Sequence, residues 1–185
     1  MPEFSRAGWS EVTSEPPSPE LLALSPELPL TKGAQLLLQF RTAVLQEEHL
    51  ENTVRWMGRE DAPLGLREAA LEALGRSQSG LAQVRLAGWL ASSLGKGTLK
   101  EGEPEERLRT RGLELLKAGE GWDAPGTQVL VRVLTSREAS PKNREQAAYS
   151  LALAGKLRPD LGAALDSRLQ GAEARALLGR MRERL

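Results

Sequence analysis

Cysteine and isoleucine are both missing from the 185 residues, and histidine and tyrosine occur once each. Without cysteine there is no disulfide framework, no thiolate nucleophile and no cysteine-based zinc site. One histidine excludes a histidine-rich metal cluster, so neither a metal nor a cofactor is expected. Aromatic residues make up 4% of the chain and valine takes 7 positions, against 34 leucines and 23 alanines. Strands favour β-branched and aromatic side chains while Leu and Ala lead the helix scale, so the composition points to an all-α fold. No charge dominates either: 25 Lys and Arg balance 25 Asp and Glu, which gives no whole-molecule pull toward nucleic acid or a membrane surface. No stretch approaches the ~20 apolar residues that span a bilayer. The most apolar windows are broken by Arg85 or Arg132, and Met1 to Ser18 lacks the apolar run of a signal peptide. The expectation is a soluble cytoplasmic protein. Nineteen Arg against 6 Lys, with no Ile, suggests a GC-rich bacterial genome and says nothing about function.

What is present divides into two parts. Six of the 11 prolines (Pro2, Pro16, Pro17, Pro19, Pro26 and Pro29) fall in the first thirty residues, among Ser and Glu. Such a segment buries too little apolar surface to offset its ordering entropy, so residues 1–32 are read as a largely disordered arm. Within it, Ser18-Pro19-Glu20 is spaced to start one short helical turn, and Phe4 and Trp9 are isolated apolar residues in polar surroundings. From residue 33 to 185 the pattern is helical. Leu37, Phe40, Val44 and Leu45 begin a run at three- and four-residue steps that continues through Val54 and Met57 and closes at Gly58. Asp61-Ala62-Pro63 reads as an N-cap with proline in the first turn of the next helix, which ends at Gly75. Further helices are expected over 79–94, 103–118, 127–134, 141–155, 160–169 and 172–184. Val129, Val131 and Val133 alternate like a strand, but with no partner strand the segment is assigned as helix.

One signature recurs. Arg67, Arg85, Arg109 and Arg144 are each followed three positions on by a small residue, namely Ala70, Gly88, Gly112 and Ala147. A small residue there lets a neighbouring helix approach closely. Arg67, Arg109 and Arg144 are spaced so that one helix pair occupies roughly 40 residues. The segment from Asp61 through Pro63, Arg67, Ala69, Ala70 and Leu74 to Gly75 resembles the second helix of a HEAT repeat, and Ser140, Pro141, Arg144, Ala147, Leu151 and Gly155 form a looser copy. The resemblance implies a right-handed α-solenoid of three to four helical hairpins over 33–185, armadillo-like in kind. It also implies structural roles for Asp61, Pro63, Arg67, Arg85, Arg109, Pro141 and Arg144. An irregular helical bundle with one true repeat pair is the competing architecture.

Catalytic patterns are thin. Ser93-Leu94-Gly95-Lys96 has the serine acyl-enzyme spacing without its companion motifs, and Gly95-Lys96-Gly97-Thr98 breaks the phosphate-loop order. His49 sits beside Glu47 and Glu48 and reads as an ordinary helical residue. Glu103, Glu105 and Glu106 precede Arg107, Arg109 and Arg111, a spacing that supports a helix through i,i+4 pairs. Trp122 and Asp123 occupy a Gly/Pro-rich loop, where Trp122 either contacts a partner or folds back over the adjacent hairpin. The C-terminal segment is basic, with Arg168, Arg175, Arg180, Arg182 and Arg184. HEAT-like proteins serve mostly as scaffolds, so the resemblance implies a non-enzymatic module that binds a protein partner. Trp122, Asp123, Arg107 and Arg111 are the candidate contact residues. The alternative is a nucleic-acid-binding HEAT-like protein related to DNA repair, and the discriminating feature is whether Arg85, Arg107, Arg109, Arg111 and Arg144 line one groove or are held by other groups.

Overall fold

The computed structural model describes residues 40–41, 45–77, 79–95 and 102–185. The arm with its Phe4, Trp9 and Ser18-Pro19-Glu20 features, the opening of the first helix and Lys96 to Glu101 lie outside them. Among the described residues the protein is all-helical, with eight helices and no strand. They are α1 (Glu47–Gly58), α2 (Leu64–Arg76), α3 (Gly80–Leu94), α4 (Pro104–Leu115), α5 (Pro125–Thr135), α6 (Pro141–Leu157), α7 (Pro159–Arg168) and α8 (Ala172–Glu183). None is long and apolar enough to cross a membrane.

Proline and capping residues set the boundaries. Pro104, Pro125, Pro141 and Pro159 all occupy the first turn of their helices, where the missing N–H is not needed. The Ser79 and Ser140 side chains accept from Leu81 N and Asn143 N, one orphan donor each. Several boundaries depart from the sequence reading, among them α5, which opens at Pro125 and not at 127, and α6, which runs to Leu157 and not 155. α1 starts at Glu47 instead of continuing from upstream, because Gln46 is extended and its N–H donates to His49 Nδ1 at 3.3 Å. His49 thus acts in capping and is buried there. Asp61 is not a cap: the helix begins at Leu64 after Pro63, and Asp61 instead receives a two-pronged contact from Arg59 at 2.7 and 2.8 Å. Those hydrogen bonds hold the Asp61 carboxyl below its ordinary range. α4 stops at Leu115 because Leu116 turns extended. The valine alternation proved compatible with helix: Val129 and Val133, one turn apart, face the core, and Val131 lies on the flank.

Packing follows a simple rule, since the substantial contacts join helices one or two apart in the chain. Successive helices pair (α1 with α2, α3 with α4, α5 with α6). Beyond those pairs, α1 packs on α3 and α3 on α5, while α2 packs on α4, α4 on α6 and α6 on α8. α2 is flanked by α1, α3 and α4, so it is buried nearly all round by Leu66, Ala69, Ala70, Leu71, Ala73 and Leu74. Trp56 and Phe40 fill the core at the α1 end, and each fully buried leucine such as Leu71, Leu86 or Leu90 contributes about 2 kcal/mol.

The small-residue positions are not equivalent. Ala70, Gly112 and Ala147 are buried, but Gly88 is exposed. A Cβ at Gly112 would sit 3.0 Å from the buried Leu90 side chain and 3.2 Å from Trp89, whereas one at Gly88 meets nothing within 4 Å. Gly88→Ala is therefore expected to stabilise the protein by about 0.5–1 kcal/mol through helix propensity, and Gly112→Ala to cost about 1–2 kcal/mol by overpacking. Urea unfolding of the two variants checks this, and equal shifts would show that the two glycines share one environment after all.

Candidate interaction surface

The arginines of the recurring signature divide as the glycines do. Arg67, four residues into α2, donates from Nε to Met57 O at 2.8 Å. Arg109 of α4 donates to Ser93 O at 2.6 Å and to Ser93 Oγ at 3.2 Å. Arg144 of α6 reaches Leu134 O at 3.4 Å. Met57, Ser93 and Leu134 are each the penultimate residue of the preceding helix, where carbonyls lack intrahelical partners and carry the negative end of the dipole. Each of these arginines therefore caps the other helix of its own pair. Arg109 is buried, and desolvation pushes its guanidinium down against the supporting charges of Glu106 and Glu105. Arg85 does something else. It lies exposed on α3 and pairs with Glu51 of α1 at 3.2 Å.

A second set of ion pairs crosses between even-numbered helices. Arg67 grips Glu105 with two bonds of 2.5 and 2.9 Å. Arg107 meets Glu68 at 2.9 Å, and Arg111 meets Glu72 at 3.0 Å and Glu114 at 2.8 Å. The hydrogen bond that Arg111 donates to Glu114, with those to Glu72, raises its guanidinium above the ordinary value. Glu105 and Arg107 thus find direct partners on α2, because α2 packs against α4 along that edge, while the Glu105 charge also supports Arg109 one turn on. Toward α6, Thr110 Oγ1 lies 2.9 Å from both Glu106 Oε1 and Asn143 Oδ1. Arg144 continues the series to Glu173 of α8 at 2.9 Å.

Part of this set lines an open groove of about 350 Å³ across α2, α4 and the start of α6, bounded by Glu68, Glu72, Glu106, Arg107, Thr110, Arg111, Glu114 and Lys142. Arg107 and Arg111 come together in it; Trp122 and Asp123 do not line it. Trp122 is half-buried in the α4–α5 loop, packs against the core, and has the Arg168 guanidinium 5.8 Å from its ring centroid. Asp123 is exposed. Of the basic C-terminal residues, Arg168 closes α7, Arg182 pairs with Asp166 at 2.6 Å, and Arg175, Arg180 and Arg184 are exposed on or beside α8. Pro63 precedes α2 and Pro141 opens α6. No group of three or more His, Asp or Glu among the described residues is arranged to hold a metal.

Sequence reasoning passed over three features. Arg158 donates to Ala118 O at 3.0 Å and to Gly119 O, tying α7 to the α4–α5 loop. Gln83 accepts from Lys117 N at 2.9 Å, pinning the same loop to α3. Tyr149, Leu153 and Leu157 form an exposed apolar line on α6 whose four-residue spacing was visible in the sequence. No family model matches the chain. Nor does any curated protein or solved structure match it.

Proposed function

We propose that this chain is a non-enzymatic interaction module, a HEAT-like α-solenoid that binds a protein partner across its even-numbered helices. The carrying observation is the α2–α4–α6 groove, in which Arg107 with Glu68 and Arg111 with Glu72 are held by cross-helix pairs before any partner arrives. Prearranged polar groups lose little side-chain entropy on binding. The solenoid part of the proposal is supported by the substantial contacts, which join helices one or two apart, and by the arginine that caps the preceding helix in three successive pairs. Cross-helix partners separated by 38 and 39 residues agree with a repeat of roughly 40. A cytoplasmic location belongs to the same proposal.

The groove suits a protein better than a nucleic acid. Its three cations face four carboxylates, and sequence-independent DNA binding generally needs about six or more phosphate contacts on one surface. Each of Arg85, Arg107, Arg109, Arg111 and Arg144 is engaged by a carboxylate or a carbonyl. The test is cross-linking and affinity purification with the full chain, alongside the surface variant Lys142→Glu. A protein partner is expected whose recovery falls at least about fivefold with the variant, since a reversed charge at a rim costs about 1 kcal/mol or more. Recovery of only small metabolites, or retardation of DNA in a low-salt gel shift, would overturn the proposal.

A further inference from the structure

Among the described residues, five large apolar side chains stand exposed, and three of them lie on α6: Tyr149 at 43%, Leu153 at 38% and Leu157 at 72%. The other two, Leu81 and Val84, are on α3. Single exposed apolar residues need no explanation, but a line of them on one helix does. At 100° per residue, Glu145, Tyr149, Leu153 and Lys156 share one narrow strip of α6, all exposed. Their order along the strip is acid, aromatic, aliphatic, base.

That order is self-complementary. With residue 151 as centre, Tyr149 and Leu153 are two residues to either side. Glu145 lies about 9 Å toward the N-terminus and Lys156 about 7.5 Å toward the C-terminus. If a second α6 is laid antiparallel on the first, Tyr149 falls opposite Leu153, and Glu145 falls beside Lys156, twice over by symmetry. A two-fold interface requires this property, because the same patch must recognise itself. A parallel arrangement would bring like charges together at both ends.

We propose that the α6 strip is a homodimer interface, with two copies packed antiparallel so that Tyr149 meets Leu153, and Glu145 meets Lys156, of the second copy. The patch is small, so the dimer is a weak one with a dissociation constant on the order of 10–100 µM. It is independent of the groove between α2 and α4, and the interaction-module reading stands or falls separately.

Sedimentation equilibrium on the full chain tests this. The mass should rise from 20.1 kDa toward twice that value between about 5 and 500 µM protein. Leu153→Lys and Tyr149→Ser, both at exposed positions, should weaken association at least about tenfold while leaving thermal melting nearly unchanged. Glu145→Lys alone and Lys156→Glu alone should each weaken it about threefold or more, and the double swap should recover most of the loss. Recovery is read against the Lys156→Glu single variant, because Lys156 also donates to Leu185 O at 2.5 Å. A chain that stays monomeric throughout, a dimer indifferent to Leu153→Lys, or a double swap no better than either single one would overturn the proposal.

Discussion

Arg67→Ala is expected to lower stability by about 3 kcal/mol, and Arg67→Lys by about 2 kcal/mol, in urea unfolding. Arg67 is buried and makes three charge-assisted bonds, one to Met57 O and two to Glu105. Removing it uncaps the end of α1 and leaves Glu105 facing an empty space. A lysine brings a single charged head in place of a planar fork and does not serve both partners at once. Glu105→Gln separates the two contributions. Glu105 is 34% exposed, so its carboxylate retains some water and its loss should cost about 1 kcal/mol. The carbonyl cap therefore accounts for most of the expected effect. If Glu105→Gln proves as damaging as Arg67→Ala, the ion pair dominates instead and the capping role is wrong. The same geometry ranks the other arginines: Arg144, with its 3.4 Å contact and a Glu173 that is 75% exposed, should tolerate alanine far better than Arg67 does.

How much of this was legible in the sequence depends on the range of the interaction. The helices were readable because the 3.6-residue period and the prolines at 104 and 141 act locally, whereas Pro125, read as loop, opens α5 two residues before the expected start. The break before α1 was not, because Gln46 and His49 form an uncommon cap in place of the usual Ser, Thr or Asp. The arginine signature was found, but its content was not: Arg67, Arg109 and Arg144 are distinguished from Arg85 only by which helix precedes them in space. The ion pairs between α2 and α4 join residues 38 or 39 apart, beyond any local rule. A signal for them did exist. Glu68 and Glu72 are four apart, as are Arg107 and Arg111, so two matched pairs separated by one repeat length could have been proposed as a seam. Trp122 was undecidable from sequence because its fate rests on Arg168, 46 positions away.

Gly126→Ala should be more severe than Gly112→Ala, costing about 3 kcal/mol, or roughly 6–12 °C in melting temperature for a domain of this size. A Cβ at Gly126 would lie 2.3 Å from Lys117 O, which is backbone and not the end of a flexible side chain. Relief requires the 117–119 segment to retreat, yet it is held on two sides. Gln83 accepts from Lys117 N on the α3 side, and Arg158 grips the Ala118 and Gly119 carbonyls on the α7 side. The added methyl therefore forces a choice between the clash and the loss of these hydrogen bonds. Backbone conformation plays no part, since Gly126 is not among the glycines with positive φ. Loosening the loop should soften the blow: in an Arg158→Ala background the additional cost of Gly126→Ala is expected to shrink by at least about 1 kcal/mol, because the two residues act on one segment and cannot be additive. Additive costs in that double-mutant cycle would mean that Arg158 does not hold the loop, and that the α4–α5 connection is rigid for reasons internal to itself.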